Sequence, residues 1–276
     1  MNLKTGLRKH PPHFIILFIL FLFVAHDCYG NIGEDICSRK ESLCRTLLDN
    51  GFTDEEVTSV FSDERIALYP EILEKKGKGL NYFNKKFGLL TRKSVERGRR
   101  ILKDNRALLT TVSNQYQVQP EVLVAIYRVE TNFGQYVGEY PVFNSLLTMT
   151  LLENRRSEWA EKELVSLFIL SRKNTTHPLS IKGSWAGAFG LCQFIPSSFL
   201  TYGVDGNGDG VVNLFQFADA MASVANYLHM NGWENHHPGK NRRAIWTYNH
   251  CDNYVQAVIA YAKAIGKPGR KIRARG

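Results

Sequence analysis

Between Pro120 and Gly134 the chain reads PEVLVAIYRVETNFG, with Val122, Ala125, Ile126 and Val129 at the i, i+3, i+4, i+7 positions of one helical face. Pro120 suits a first helical turn and Glu121 complements the positive end of the helix dipole. Similar patterns recur at 157–170, 217–229 and 253–265, and a long one runs from Thr91 to about Val118. Residues 35–69 also read as helical, with Thr53 and Glu56 placed as a capping box. Lys75 to Gly88, rich in Gly, Lys and Asn, is a break. Alternating Val, Ile and Thr runs bounded by turns hardly occur, so the fold class expected is mainly α, one domain with a small helical lobe.

The same stretch carries a candidate for chemistry. Glu130 lies one turn beyond Ile126 and Tyr127, on the border of the apolar face, and the helix breaks at once into Asn132, Phe133 and Gly134. Partial desolvation there disfavours the carboxylate and raises its pKa, which suits a group that gives a proton to a leaving oxygen near neutral pH. The alternative is a helix-end glutamate exposed to water or paired with a cation.

Residues 1–30 stand apart. Lys4, Arg8 and Lys9 precede the apolar run Phe14–Ala25, and Cys28-Tyr29-Gly30 ends it with small residues at alternate positions. This is the pattern of a secretory leader cleaved after Gly30, since twelve apolar residues fall short of the ~20 that span a bilayer. The chain is therefore expected to be exported, periplasmic or secreted, without a stable membrane span. Cleavage removes three basic residues and one acid and lowers the formal charge from +9 to +7. A basic exported protein fits an acidic polymer, an anionic membrane face or nucleic acid, and charge does not choose among them. Lys267–Arg275 reads as a solvated basic tail.

Cys37, Cys44, Cys192 and Cys251 remain after cleavage, with no spacing that suggests zinc. In a continuous helix the Cα atoms of Cys37 and Cys44 lie roughly 10 Å apart, so they pair only if the chain bends between them. In Asp205-Gly206-Asn207-Gly208-Asp209-Gly210, Asp205, Asn207 and Asp209 take positions 1, 3 and 5 of an EF-hand-like loop. Gly210 makes the turn at position 6, and the Val211 carbonyl serves at position 7. Gln216 departs from the pattern at position 12, where a bidentate Glu is expected. Calcium is the first occupant to consider and sodium the second. No organic cofactor is indicated.

Five motifs in order, AIYRVETNFG, KGSWAGAFGLCQFIPSSF (182–199), VDGNGDGVVNLFQFADAMASVANYL (204–228), NGW (231–233) and YNHCDNYV (248–255), resemble the MltB-type lytic murein transglycosylases. The resemblance runs from about Gly51 to Ile265, leaving 31–50 as an N-terminal extension of a domain over 51–276. It implies a lysozyme-like α fold, peptidoglycan glycan strands with peptide stems as the partner rather than nucleic acid, and a monomer. By the same resemblance Glu130 is the single acid and base that cleaves the MurNAc–GlcNAc bond without water, leaving a 1,6-anhydro end. Ser184, Gln193, Tyr227, Tyr248, Asn249 and Tyr254 are implied to line the glycan cleft, Arg155 and Arg156 to meet the acidic stem, and Asp219 to close the cation loop. It also brings the neighbourhoods of Cys192 and Cys251 to one cleft, which makes a 192–251 disulfide sterically plausible. Two alternatives stay open: a hydrolytic muramidase of the same fold, and a non-catalytic wall-binding module.

Overall fold

The computed structural model describes residues 32–75 and 80–267. The leader expected at 1–30 and the run from Pro268 onward lie outside the described residues. The chain divides into two compact units that meet between Ile66 and Ala67, so the boundary expected near residue 50 falls inside the first unit.

In the first unit, α1 (Ile32–Arg39), α2 (Glu41–Asp49) and α3 (Asp54–Phe61) bury Ile36, Leu43, Leu47, Val57 and Phe61. The expected capping box forms: the Glu56 amide donates to Thr53 Oγ1 at 3.1 Å and the Thr53 amide to Glu56 Oε2 at 2.8 Å. Lys40, with φ −141°, interrupts the helix between α1 and α2. That bend brings the Cα atoms of Cys37 and Cys44 to 5.6 Å, and the two cysteines are disulfide-bonded.

The second unit contains α4 (Arg92–Asp104), α5 (Arg106–Tyr116), α6 (Pro120–Thr131), α7 (Val142–Leu151), α8 (Ser157–Lys173), α9 (Pro196–Tyr202), α10 (Phe217–Met230), α11 (Pro238–Tyr248) and α12 (Asp252–Gly266). The helical pattern from Thr91 is two helices rather than one. Asn105, at φ −108° and ψ 25°, ends the first, its backbone and side-chain amides both donating to the Ile101 carbonyl at 3.1 and 3.0 Å. A short antiparallel pair, β1 (Tyr140–Pro141) with β2 (Lys182–Gly183), sets Tyr140 opposite Gly183.

The axis of this unit is α6, which buries eight of its twelve residues and packs against α12, α4 and α10. A helix enclosed on several sides must be apolar nearly all round, as the Val122–Val129 stretch is. Nine of the ten residues of α7 are buried, which leaves it no polar face. Where α4 crosses α12, Gly98 lets the backbones approach: a Cβ there would lie 2.6 Å from the Tyr261 hydroxyl and 2.9 Å from the Ile265 side chain. Tyr261 cannot swing away freely, because it is buried and its hydroxyl donates to the Ser94 carbonyl at 2.6 Å. Gly98→Leu is therefore expected to destabilise by about 1–3 kcal/mol in chemical denaturation. Gly239→Ala, at a position with no atom nearer than 3.7 Å, should leave the midpoint almost unchanged.

Candidate active site

The last turn of α6 presents Glu130. Asn132, Phe133 and Gly134 follow with φ of 50°, 62° and 79°, three successive left-handed residues that end the helix and turn the chain away. A bulky residue is disfavoured in that region. Phe133 is held there by burial, by the Arg97 guanidinium 4.9 Å from its ring and by edge contact with Tyr127 at 5.5 Å. The Thr131 hydroxyl donates to the Leu191 carbonyl at 3.1 Å and accepts from the Gly134 amide at 3.0 Å, pinning the helix end to the Gly-rich segment 183–194.

Glu130 keeps partial contact with solvent, but protein atoms crowd its carboxyl group. Burial raises its pKa to about 7, against the opposing effect of a hydrogen bond that the Tyr254 hydroxyl donates to Oε1 at 2.6 Å. The negative end of the α6 dipole acts in the same direction as burial. Tyr254 is wholly enclosed, stacked on Tyr248 at 6.2 Å and met edge-on by Tyr82 at 5.9 Å. Burial first pushes the tyrosine hydroxyls of 248, 254 and 82 upward, followed by the nearness of Cys192 for Tyr248 and of Glu130 for Tyr254 and Tyr82, so they remain protonated donors.

The aromatic residues differ from expectation in one respect. Tyr254 offers no open face to a sugar ring, and its hydroxyl reaches the site by gripping Glu130. Tyr227 and Tyr248 are half-buried, 4.8 Å apart, with hydroxyls bound to the Thr247 and Cys192 carbonyls at 2.8 and 2.6 Å. Tyr202 extends this wall at 4.5 Å from Tyr227.

The Gly-rich segment folds onto the chain that leaves α6. A Cβ on Gly138, at φ 93°, would fall 2.1 Å from Gly183 backbone atoms, so this approach requires glycine at 138, whereas a Cβ on Gly183 would meet the Ala188 carbonyl oxygen at 2.2 Å. Gln193, at φ 53°, braces the same chain, its Nε2 donating to the Val137 carbonyl at 3.1 Å and to Gly190 at 3.0 Å. The Ser184 hydroxyl accepts from the Ala188 and Ala186 amides at 3.1 and 3.3 Å, so its own hydrogen is left for another acceptor. Glu130, Tyr254 and Tyr248 are thus joined by direct contacts, with Cys192 beneath Tyr248. Ser184 and Gln193 stand on the segment braced against the end of α6. Arg155, Arg156 and Asn249 line a cavity of about 740 Å³ with Lys75, Asn154 and Trp185, Trp185 being next in the chain to Ser184 and Asn249 to Tyr248. Arg156 lies 5.0 Å from the Trp159 ring.

The loop 205–219 is held by its own amides. Asp205 accepts from Gly208 and Gly210, each at 2.7 Å, and the Gly210 amide leads in holding its carboxyl below the usual range. The Asn207 side-chain oxygen Oδ1 accepts from the Asp209 amide at 2.9 Å. Asp219 is buried and clips the loop's two ends, accepting from Gly206 at 2.9 Å and Asn213 at 2.7 Å. Among the described residues no three His, Cys, Asp or Glu side chains converge as a metal cluster. The donors of Asp205, Asn207, Asp209, the Val211 carbonyl and Asp219 are all oxygens, the set a hard cation takes, but binding would require the aspartates to exchange amide partners.

Sequence reasoning missed Tyr82, Lys75 and Trp185. Tyr82 sits in an aperiodic Gly/Lys/Asn-rich break, where no local pattern marks a buried aromatic. The plausible 192–251 disulfide is not formed: Cys192 and Cys251 are both free thiols. Cys192 lies under Tyr248 close to Glu130, with burial pushing its thiol pKa up, whereas Cys251 heads α12 beside Tyr82.

Comparison with known proteins gives the family and the fold. Residues 38–240 match the transglycosylase SLT domain, and the chain belongs to that family. It is 38% identical over 151 residues to membrane-bound lytic murein transglycosylase B of Escherichia coli, a match covering 55% of this chain and 41% of that protein. The chain thus spans about two fifths of the length of this curated relative. The crystal structure of soluble lytic transglycosylase SltB1 from Pseudomonas aeruginosa superposes with a TM-score of 0.76 at 25% identity, covering 83% of this chain and 98% of that one. Escherichia coli lytic transglycosylase Slt35, solved in complex with calcium, superposes with a TM-score of 0.74 at 24% identity, covering 82% and 92%. The mainly α, lysozyme-like fold and the family expected from the motifs are borne out.

The raised pKa of Glu130 has a thermodynamic consequence. Its folded-state value of about 7 exceeds the ordinary 4.5, so between these two pH values the folded chain holds a proton that the unfolded chain releases. Stability contributed by this group is present below the lower value and is lost as pH rises through the higher one. Glu130→Gln removes the dependence. The variant should gain on the order of 1–3 kcal/mol over the parent on passing from below about pH 4 to above about pH 8, measured by chemical denaturation at both pH values.

Proposed function

We propose that this chain is a peptidoglycan lytic transglycosylase that uses Glu130 as its single acid and base. The observation that carries the reading is a carboxyl group with a pKa of about 7, buried at a helix end and aimed by Tyr254. At neutral pH such a group is populated in both forms, as a residue that first donates and then accepts a proton must be. Glu130 would protonate the glycosidic oxygen between MurNAc and GlcNAc as that bond breaks. The carboxylate left behind then takes the proton of the muramyl C6 hydroxyl while that oxygen bonds to C1, giving a 1,6-anhydro end and restoring the acid. An internal hydroxyl nucleophile removes the need for the second carboxylate that most glycosidases place across the bond. The other buried glutamate among the described residues, Glu163, caps α9 instead, accepting from the Ser197 amide at 2.9 Å and hydroxyl at 2.7 Å.

Ser184, Gln193, Tyr227, Tyr248 and Asn249 are assigned to the glycan in this reading. Ser184 retains a free hydroxyl hydrogen suited to a sugar oxygen or acetamido carbonyl. Arg155 and Arg156, in the wall of the 740 Å³ cavity, suit the carboxylates of a peptide stem. The relative's name supplies murein as the polymer. Export by the N-terminal leader is part of the proposal. No helix among the described residues is long and apolar enough to cross a membrane.

A structural calcium ion, held by Asp205, Asn207, Asp209, the Val211 carbonyl and Asp219, is also proposed, supported by the all-oxygen donor set and the calcium complex of Slt35. Its contribution is to fix the loop that leads into α10, with no part in the bond-breaking step.

Two measurements check this reading. Digestion of purified sacculi by the parent protein should release muropeptides one water lighter than hydrolytic products, and Glu130→Gln should lower that release by orders of magnitude. Products carrying the added water would make it a muramidase, and undiminished release by the variant would remove Glu130 from the mechanism. Calcium should raise the melting temperature by mass action, and Asp205→Ala should abolish the gain. A melting curve indifferent to calcium removes the ion from the account.

A further inference from the structure

On α6, Arg128 projects about 200° around the helix from Glu130, nearly the opposite side. It is only 4% exposed. Its Nε donates to Ser94 Oγ at 2.9 Å, its Nη2 to the Phe87 carbonyl at 2.7 Å, and its guanidinium lies 4.9 Å from the Phe87 ring. Arg97 stands close by, donating to the Phe133 carbonyl at 3.4 Å over that residue's ring. Both cations therefore meet only neutral acceptors and aromatic faces, and neither forms an ion pair with a carboxylate among the described residues. Burial holds the Arg128 pKa below its ordinary value, against the nearby Tyr261 hydroxyl and with a smaller contribution from the repulsion of Arg97. A buried guanidinium without a counter-charge is costly, and its cost falls when an anion pairs with it.

The space beside these groups is a cavity of about 260 Å³ lined by Lys93, Ser94, Arg97, Arg128, Asn132 and Gln135 among others, with no acidic residue in its wall. It opens against the start of α4, whose first turn carries no acid to offset the positive helix end. Thr91 Oγ1 satisfies the Ser94 amide, but the Arg92 and Lys93 amides precede the first intrahelical bond. We infer that this cavity binds a compact oxyanion, a terminal phosphate or carboxylate group, gripped by Arg97, Lys93 and Arg128. The site is separate from the Arg155–Arg156 cavity and does not depend on the reaction assigned to Glu130. The exposed Lys93 and the half-buried Arg97 flank the anion, and the buried guanidinium of Arg128, held by Ser94 and Phe87, forms the floor.

Titration with inorganic phosphate, and separately with N-acetyl-D-alanine as a carboxylate probe, at ionic strength held constant with chloride, tests the inference. Saturable shifts of the Arg92–Ser94 amide resonances are expected for at least one probe. Phosphate alone identifies a phosphate site, N-acetyl-D-alanine alone a carboxylate site, and both a general oxyanion site. Arg97→Gln should weaken binding about tenfold, the loss expected for one charge-assisted contact. Lys93→Gln gives the same reading if the first variant folds poorly. Lys103→Gln, outside the cavity wall, should bind as the parent does. Saturation by neither probe, or equal weakening by Lys103→Gln, which would mark diffuse surface charge, overturns the inference.

Discussion

A hydroxyl and a carboxyl group 124 residues apart in the chain meet at 2.6 Å, and the arrangement of the second unit follows from that contact. For Tyr254 to reach Glu130, α12 must lie along α6, and the Gly98 crossing lets α4 pack closely against α12 while also touching α6. Together with α10, these two helices enclose the apolar body of α6, so the carboxyl group that emerges at its end is half in the core. Desolvation disfavours the carboxylate and the tyrosine hydroxyl favours it, and desolvation prevails. Without the bond the group would be free to rotate as well as harder to ionise. Tyr254 is thus a positioning residue whose enclosure by Tyr82 and Tyr248 makes its geometry rigid.

The same helix separates two opposite electrostatic problems. On one face its last turn carries an acid that burial tends to neutralise. On the other it carries an arginine that stays charged and has no described carboxylate beside it. A helix packed on several sides can hold both because neither is in the centre: each lies where α6 meets a cavity or a loop. The left-handed run at Asn132–Gly134 lets the chain leave between them, and Thr131 fastens the exit to Leu191.

Much of this was legible from residues alone. The period of Val122, Ala125, Ile126 and Val129 placed α6 and put Glu130 at its rim, and Thr53 with Glu56 marked the start of α3. The motifs around Ser184 and Gln193 identified the family. Other features were illegible for physical reasons. With nine of ten residues buried, α7 has no polar face and so no period to detect. Asn105 divides one apolar period into two helices by a local change of backbone angle that the period does not register. Tyr82 earns its place through contacts with Tyr254 and Phe87 that no sequence spacing encodes. The cysteines divide along the same line. Pairing of Cys37 with Cys44 needed a bend at Lys40, and the 192–251 pair required side-chain directions that shared neighbourhood does not fix.

The central claim is that the environment of Glu130, and not its position in a motif, makes it a proton donor at neutral pH. The direct measurement is the titration of the Glu130 side-chain carboxyl carbon by NMR in the folded protein, assigned by its absence in Glu130→Gln. A midpoint near the value of about 7 expected from burial against the Tyr254 bond supports the account. A midpoint at the ordinary glutamate value of 4.5 would show a solvated carboxylate and contradict it.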